Sequence, residues 1–575
     1  MKKILFAILG TALMFSACTK GNLAEPMEQN PYRTIIEYTP GSFTMEVPGT
    51  LTPSEEYDWI SVSQSGNTAT FTVRRNTSGL IRRAEFKIAG DKNICAVNQK
   101  AHGLDATVEA ELASQTGGSA EIECAATSKF TDDYASWGIA YSTTSDLANA
   151  TLVPQTGNPT EGRLVGKVTG LKEGTDYYIW TYVQCTEGRK IFSGMLALLP
   201  PVLVRAGEDL QAAIDGAKPF SNIMVQGGVT FTAPKGGFKM GDGNVNKTVS
   251  GGWNADFSKQ SMDNLTVIDG AGSYGFWCAN GDGSDMKGSA KISYCEIINC
   301  DGNHGTAIHC VGGPVTVSNC YVHDNSSEKG AIGTNEENYS SDLTVVNCIV
   351  ANNKANAHGA AFGFGDGKSD NEPVWATVVN CLVVDNVSTK KDGYCSAFIC
   401  YNHTILTFVN NTVVGNKNWE EYGGPYPGMN LRGGVASLFA NNIMVANYTS
   451  PCTKEMETPE YKRQDNFLSM GGSHGTLANN LVEGNIKDKG NATVQGEINV
   501  ALGFDLSSVL NSDYKPQGAA LGAGTLSSIT YKSGNAGFGP FTCDVKGLLE
   551  KYKVDLAGNP RITNGKVDLG CYQAQ

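Results

Sequence analysis

The sequence predicts an all-β protein whose second half is a parallel β-solenoid. Seven segments of that half repeat one pattern: an Asn-Cys or Asn-Asn pair (divergent in the first segment), an apolar stretch, and a fixed residue five positions later. The second members of the pairs are Cys295, Cys320, Cys348, Cys381, Asn411, Asn442 and Asn480, and the later residues are Cys300, Asn325, Asn353, Asn386, Asn416, Asn447 and Asn485. Spacings of 25 to 38 residues indicate stacked supersecondary units, and the Val, Ile, Thr and Gly content favours strands.

Stacking explains why these residue types recur. Parallel strands of successive coils lie ~4.8 Å apart, so equivalent residues form columns along the solenoid axis. A column of Asn at a bend passes side-chain hydrogen bonds from coil to coil and satisfies backbone groups that the bend leaves unpaired. A column of Cys places small side chains where the cross-section is narrow. We therefore interpret both columns as structural, not as metal or redox sites.

Bulk composition limits the partners. A length of 575 residues and a content of 68 glycines indicate several β-rich domains. A net charge of −13 argues against nucleic acid or an anionic membrane surface as a partner. No internal apolar run has the length of a transmembrane helix.

The first 18 residues predict an export signal. Met1-Lys2-Lys3 precedes an apolar stretch over residues 4–15, and Ser16-Ala17-Cys18 follows. This ending resembles a bacterial lipoprotein box, which implies lipidation of Cys18 and an outer-membrane lipoprotein of the cell envelope, facing either the surface or the periplasm. Ordinary cleavage nearby is the alternative. Residues 19–31 read as a tether.

Two small β-sandwich domains are predicted before the solenoid. Residues 32–101 contain alternating strands at 42–47, 59–64, 69–74, 83–89 and 94–99. Their motifs DWISV (58–62), NTS (76–78), RRA (82–84) and VNQ (97–99) resemble the BACON domain of Bacteroidetes surface enzymes, a spacer or sugar-associated module. Residues 104–200 carry GKVTGL (166–171) and GTDYYIW (174–180), which resemble the fibronectin type III pattern around its tyrosine corner.

The solenoid domain is assigned to residues 201–575, after Pro200-Pro201. Residues 208–217 have helical apolar spacing, and this helix with the following strand resembles the capping helix and first coil of right-handed pectate-lyase-like β-helices. The segments VSGGWNADF (249–257), LTVIDG (265–270), DLAGNPR (555–561) and VDLG (567–570) resemble choice-of-anchor Q proteins of Bacteroidetes. The resemblance implies a right-handed parallel β-helix and says little about activity, because such proteins are functionally diverse.

With Cys18 lipidated, 15 of the 16 cysteines remain as thiols in an oxidising compartment. Most fall on the repeat, where parallel Cβ vectors make the disulfide dihedral awkward. We expect mostly buried free thiols, with Cys395–Cys400 and Cys300–Cys310 as the two pairs that could form bridges.

The corners that follow each ladder Asn vary most and are expected to line up on one face, where solenoids usually bind. They hold His304, Lys329, His358, Lys390 and Lys391, with Asp301, Glu328 and Asp392 close in sequence. Such a cationic row suits an anionic glycan. A lyase would use Lys or His as the base and Lys or Arg432 to stabilise the developing charge. The alternative is a solvated edge whose charges keep the coils soluble.

A long insertion in one corner concentrates aromatic residues. Residues 418–428 contain Trp419, Tyr422 and Tyr426, which could stack on sugar rings, with Glu420 and Glu421 as hydrogen-bonding partners or as an acid–base pair. They could equally fold back over the flank of the solenoid.

No motif indicates a cofactor. The chain lacks a Ser nucleophile elbow, a P-loop, an HExxH helix and an EF-hand loop. Residues 365–370 (GDGKSD) have too few ligands for a supported Ca²⁺ site. The sequence therefore predicts a protein that binds polysaccharide or cleaves it as a lyase or hydrolase. A non-enzymatic adhesin or structural protein is the main alternative, and a protein-binding subunit of a surface complex is a third.

Overall fold

The computed structural model describes residues 31–76, 81–100, 107–116, 118–127, 134–172, 174–185, 189–334, 339–389, 395–419, 428–432, 434–449, 461–465, 467–470, 473, 475–486, 492–531 and 539–574. Its large sheets are made of parallel strands that wind through successive coils, and parallel crossovers of this kind are right-handed. The predicted fold class, a right-handed parallel β-helix preceded by two small β-sandwiches, is confirmed.

The first β-sandwich contains seven strands, and the predicted strands lie within a residue or two of observed ones. They are β1 Arg33–Ile36, β2 Gly41–Glu46, β3 Leu51–Pro53, β4 Ile60–Ser65, β5 Thr68–Val73, β6 Arg82–Ile88 and β7 Ile94–Gln99. The sheets β1-β7-β6-β3 and β2-β5-β4 enclose Phe71 and Phe86, whose ring centroids lie 5.4 Å apart. The BACON assignment of this sandwich stays a prediction.

The second β-sandwich contains eight strands. They are β8 Thr107–Thr116, β9 Ser119–Thr127, β10 Tyr134–Ser142, β11 Thr151–Gln155, β12 Leu164–Thr169, β13 Tyr177–Cys185, β14 Lys190–Phe192 and β15 Leu196–Leu198. Its core contains the fully buried Trp137. The Tyr177 hydroxyl accepts a hydrogen bond from the Lys172 backbone N–H at 3.0 Å, the contact that defines a tyrosine corner. The fibronectin type III assignment itself stays a prediction.

A short helix begins the β-helix, where the sequence predicted a cap. Helix α1 spans Leu210–Gly216, and Asp209 Oδ1 accepts a hydrogen bond from the Ala212 backbone N–H at 3.0 Å. Leu210 and Ile214 are buried against the core of the first coils. The helix thus covers apolar core that the open end of a solenoid would expose.

Each full coil runs through four sheets, which we name A, B, C and D in chain order. Sheet A comprises β16 Val202–Val204, β17 Asn222–Gln226, β20 Lys247–Trp253, β23 Ala290–Ser293, β27 Gly312–Ser318, β31 Ser341–Val346, β35 Val374–Val379, β39 Thr404–Val409, β43 Ala436–Ala440, β48 Thr476–Ala478 and β50 Thr493–Gln495. Sheet B comprises β18 Thr230–Thr232, β21 Thr266–Asp269, β24 Cys295–Ile298, β28 Tyr321–His323, β32 Ile349–Ala351, β36 Leu382–Val384, β40 Thr412–Val414, β44 Ile443–Val445, β49 Leu481–Glu483 and β51 Ile498–Val500.

Sheets C and D complete the coil. Sheet C comprises β25 Asp301–His304, β29 Ser326–Lys329, β33 Lys354–His358, β37 Val387–Ser388, β41 Lys417–Asn418, β45 Tyr448–Thr449 and β46 Lys462–Arg463. Sheet D comprises β19 Phe238–Lys239, β22 Phe276–Cys278, β26 Ile308–Cys310, β30 Ile332–Thr334, β34 Phe362–Phe364, β38 Phe398–Cys400, β42 Met429–Leu431 and β47 Leu468–Ser469. The sequence predicted variable corners where sheet C lies. The structure forms strands there because stacked coils in register satisfy one another's backbone groups.

The bends on either side of sheet B show why the sequence repeats. The residue before each ladder position has a positive φ, as at Asn319 (52°), Asp324 (53°) and Asn352 (54°), a conformation that Asn, Asp and Gly adopt most easily. The following Asn bridges coils through its side chain. The Nδ2 of Asn325, Asn353, Asn386 and Asn416 donates to Oδ1 of the next ladder Asn at 2.9 to 3.0 Å.

The cysteines of the repeat lie in the core as free thiols. Cys295, Cys320, Cys348 and Cys381 are fully buried, and burial raises the pKa of Cys348 well above its ordinary value. No disulfide joins any of the fourteen cysteines in the described ranges, and Cys543 alone among them is not buried. The predicted free thiols are therefore found there, and neither Cys395–Cys400 nor Cys300–Cys310 forms a bridge.

The C-terminal segment covers the outer face of sheet A. Strands β52 Ser528–Tyr531 and β53 Phe541–Asp544 form a hairpin, and helix α2 spans Val545–Lys551. Val545 and Leu549 of this helix are buried in one cluster with Val379 and Val409 of sheet A. This segment therefore occupies one flank of the β-helix and leaves sheet C on another. Short 3-10 helices lie at Leu147–Asn149, Asp242–Asn244, Met262–Asn264, Leu506–Ser508 and Gly518–Ala520.

Candidate functional site

The register of sheet C brings three of the predicted site residues together. His304 of β25 pairs with Lys329 of β29, and Lys329 pairs with His358 of β33. Neighbouring parallel strands are ~4.8 Å apart, so the three side chains start from adjacent positions of one column. An irregularity in β33 before His358 shifts the pairing by one residue, and without it the column would contain Ala357. We call His304, Lys329 and His358 the cationic row.

The cationic row lies on the face of sheet C that is turned toward sheet D. Its three members are half-buried. Lys329 Nζ lies 5.6 Å from the ring centroid of Tyr401, which follows β38. The backbone carbonyl of His304 accepts a hydrogen bond from Nδ1 of His309 in β26 at 2.8 Å. The row is therefore part of a packed seam between two sheets.

Arg432 joins this seam from the strand that neighbours Tyr401. Its guanidinium carbon lies 4.6 Å from the Tyr401 ring centroid, and its backbone N–H donates to the Cys400 carbonyl at 3.0 Å. Arg432 is exposed, whereas Tyr401 is only 6% exposed. Lys329 and Arg432, 103 positions apart in the chain, thus share one aromatic ring, and cation–π attraction favours both positions.

A second column, which the sequence did not indicate, extends the seam toward the first coils. Lys239, Trp277 and His309 are register partners in sheet D. The Trp277 ring stacks on His309 at a centroid distance of 4.1 Å, and Lys239 Nζ lies 4.5 Å from the Trp277 ring. Burial lowers the pKa of His309 to about 4, and electrostatic interactions with His304 and Lys239 act in the same direction. His309 is therefore a neutral structural residue at physiological pH.

Asp301 and Glu328 do not face the cationic row. Residues of a strand alternate between its two faces, and Asp301, Asn303 and Glu328 are exposed where His304 and Lys329 are half-buried. They line an open groove of about 530 Å³ on the opposite, outer face of sheet C, together with Gly302, Asn356, Ala357 and Thr389. Proximity in sequence placed these carboxylates beside the cations, but strand alternation separates them.

The structure describes only some of the remaining predicted site residues. Trp419 directly follows β41 and is half-buried. Lys390, Lys391, Glu420, Tyr422, Tyr426 and Cys18 lie outside the described residues. The site assignment as a whole stays a prediction.

The described ranges contain neither a metal-ligand cluster nor a helix that could span a membrane. No group of three or more His, Cys, Asp or Glu side chains there is arranged to hold a metal ion. Two histidines outside the row have carboxylate partners: His323 Nε2 lies 2.9 Å from Glu296 Oε1, and His403 Nδ1 lies 2.6 Å from Asp370 Oδ1. None of the helices in those ranges has the length and apolar character needed to cross a bilayer.

The cationic row and Arg432 together have the side chains expected of a site that binds a carboxylate ligand. Lys329 and Arg432 supply positive charge to a region that is partly shielded from water, where charge-assisted hydrogen bonds are strong. Two histidines flank Lys329, and imidazole is the side chain whose ordinary pKa permits proton transfer near neutral pH. The arrangement can bind an anion and can remove a proton next to it.

Comparisons with known proteins identify no family for this chain. Neither family models nor curated proteins match the chain. Solved structures similar to it include a family 28 exopolygalacturonase from Yersinia enterocolitica, with 10% identity, a TM-score of 0.23, and coverage of 69% of this chain and 98% of that one.

Two pectate lyases are also among the similar structures. That of Erwinia chrysanthemi in complex with tetragalacturonic acid has 11% identity, a TM-score of 0.15, and coverage of 68% of this chain and 100% of that one. That of Pectobacterium carotovorum has 11% identity, a TM-score of 0.15, and coverage of 69% and 87%. Similarities this low carry no argument about activity, so the function has to be argued from the site.

Proposed function

We propose that this protein binds or cleaves an acidic polysaccharide at the cationic row. The observation that carries the proposal is the convergence of Lys329 and Arg432 on the Tyr401 ring, with His304 and His358 on either side of Lys329 in the register. A uronate offers a carboxylate to the cations and an apolar ring face to the seam. Because a glycan repeats along its length, the stacked coils can present it with successive contacts.

Cleavage by β-elimination is the reaction that these groups favour. Lys329 or Arg432 would neutralise the uronate carboxylate and stabilise the charge that develops on it. His304 or His358 would take the proton from the carbon next to that carboxylate. The electron pair then forms the new carbon–carbon double bond as the neighbouring glycosidic C–O bond breaks, and the leaving oxygen takes a proton. The product is an unsaturated uronate, which absorbs ultraviolet light.

The test is a panel of uronate polysaccharides with the full chain. Wild-type protein should be retarded in gels that contain pectin or a glycosaminoglycan, and a lyase should also increase ultraviolet absorbance. Lys329→Ala and Arg432→Ala should each weaken retention about tenfold, since each removes a charge-assisted contact. His304→Ala and His358→Ala should reduce absorbance far more than retention if either histidine is the base.

A matched control is Lys291→Ala, which removes an exposed lysine of sheet A and should leave retention unchanged. Equal losses for Lys291→Ala and Lys329→Ala would show that only net charge matters and would refute the site. Retention without any increase in absorbance would establish the alternative, a glycan-binding adhesin. No retention of any acidic polysaccharide would refute the proposal.

Export and anchoring belong to the same proposal and rest on the N-terminal sequence. The chain would be processed before Cys18 and held in the cell envelope by lipid, with the two β-sandwiches between anchor and β-helix. Metabolic labelling with a fatty acid should mark the wild type and leave Cys18→Ser unlabelled. Labelling of Cys18→Ser would refute the assignment of the lipidated residue.

A further inference from the structure

The outer face of sheet C carries a second feature that the cationic row does not use. Asn303, Glu328, Asn356 and Thr389 come from four successive coils and line the open groove of about 530 Å³. All four side chains are exposed. We call these four residues the outer groove.

The side chains of the outer groove are available to a ligand. Within the described ranges, no hydrogen bond or ion pair engages the side chain of Asn303 or Glu328. Thr389 Oγ1 donates to the Ala355 carbonyl at 3.1 Å and lies 3.3 Å from Asn356 Oδ1, which orients the Asn356 amide. The groove therefore offers an ordered set of amide, carboxylate and hydroxyl groups facing solvent.

The spacing of these groups repeats along the solenoid axis. Successive strands are ~4.8 Å apart, which is close to the length of one sugar unit in an extended glycan. Each coil thus presents one polar side chain for each sugar of a chain lying along the axis. Val387 of β37 pairs with Lys417 of β41, so Trp419 occupies the register position that follows Thr389. An aromatic residue at the end of such a series suits stacking on a sugar face.

The charges on this face distinguish its ligand from that of the cationic row. Glu328 and Asp301 both line the groove, and Lys354 and Lys417 follow in the column of Asp301. A polyanion gains no net attraction from such a mixture. Neutral sugars bind through their hydroxyl groups. Asn and Thr side chains can both donate to these hydroxyls and accept from them, and the Glu carboxylate accepts from them.

From these observations we infer that the outer groove is a second glycan-binding site, specific for a neutral polysaccharide strand that lies along the solenoid axis and ends at Trp419. It is separate from the cationic row, since sheet C lies between them. The protein would hold two glycans of different charge on the two faces of one sheet.

The experiment uses the full chain and affinity gels that contain amylose, galactomannan or a soluble β-glucan, with pectin in parallel. Wild-type protein should be retarded by at least one neutral polysaccharide. Asn356→Ala, Glu328→Ala and Trp419→Ala should each raise the apparent Kd for it about tenfold and leave pectin retention unchanged. Lys329→Ala should show the reverse pattern, which separates failure of this inference from failure of the proposed function.

Three results would overturn the inference: no neutral polysaccharide retained by the wild type, groove variants that bind as the wild type does, or groove variants that lose pectin as well. Because the side chains of Asn356 and Glu328 are exposed, Asn356→Ala and Glu328→Ala should keep the wild-type circular dichroism spectrum and melting temperature. Lys291→Ala again serves as the matched control and should retain both ligands.

Discussion

The strongest structural prediction concerns the middle of the asparagine ladder. Asn386 is fully buried. Its Oδ1 accepts hydrogen bonds from the backbone N–H and the Nδ2 of Asn353 at 3.1 and 2.9 Å. Its Nδ2 donates to the carbonyls of Val350 and Val384 at 2.8 and 3.2 Å and to Asn416 Oδ1 at 3.0 Å. Asn386→Ala removes all five hydrogen bonds and is expected to destabilise the β-helix strongly.

The size of the loss in stability depends on which buried groups are left without any hydrogen-bond partner. The backbone N–H of Asn353 is left without a hydrogen-bond acceptor in the core, and a buried unpaired donor costs about 1–3 kcal/mol. The other lost bonds each contribute about 1 kcal/mol net, partly recovered where the partner keeps a second contact. We therefore expect Asn386→Ala to lower the free energy of unfolding by about 3–5 kcal/mol, which is in the range that only a broken buried network usually reaches.

Urea unfolding followed by tryptophan fluorescence measures this loss, and hydrogen exchange at the Asn353 amide localises it. The matched control is Asn485→Ala: Asn485 has the equivalent place in the last ladder coil but is exposed and bonded to Asp465, so its loss should cost less than about 1 kcal/mol. If Asn386→Ala and Asn485→Ala unfold at the same urea concentration, the ladder does not stabilise the coils in the way argued here.

Two further predictions concern backbone strain and pH. Ala446 has a φ of 52° at a bend where equivalent positions hold Asn, Asp or Gly, so Ala446→Gly should stabilise the protein by about 1 kcal/mol in the same urea assay, whereas Ala440→Gly in β43 should destabilise it. Burial raises the pKa of Cys278 to about 12 and that of Cys348 well above its ordinary value. The folded state therefore keeps protons that the unfolded chain releases, and stability, fully present below pH ~8.5, should fall by about 1.4 kcal/mol per pH unit for each such thiol above it. A melting temperature that is constant from pH 8 to 10.5 would contradict the buried, protonated thiols.

Local sequence was sufficient for the repeating parts of the fold. At each bend, the first residue of the pair has a positive φ and the second has a buried side chain. Both constraints act on adjacent residues, so the sequence shows them directly. Asn352 and Asn353 illustrate this, since the first has a φ of 54° and the second is fully buried in the ladder. The strands of the first β-sandwich were equally readable because alternation of apolar and polar residues is a local pattern.

The candidate site was only partly readable for the opposite reason. His304, Lys329 and His358 could be grouped from the sequence because each follows a ladder residue, although the irregularity in β33 that restores the pairing of His358 leaves no sequence signal. The stack of Lys239, Trp277 and His309 was missed, because its members come from coils of different length with no shared neighbouring motif. The sequence also did not predict on which face of sheet C each side chain lies, because the corner was not recognised as a strand.

The sequence by itself determined that the chain winds into stacked coils and that its cysteines and asparagines form the scaffold. Both properties depend on residues that repeat, and the same residue pattern occurs in each coil. Only the tertiary structure decided that the corners form sheet C, that Asp301 and Glu328 lie on the face opposite His304 and Lys329, and that Arg432 meets Lys329 across Tyr401. The physical reason is that a corner becomes a strand with a fixed register only through hydrogen bonds between coils, which join residues 25 or more positions apart. Such bonds leave no local pattern.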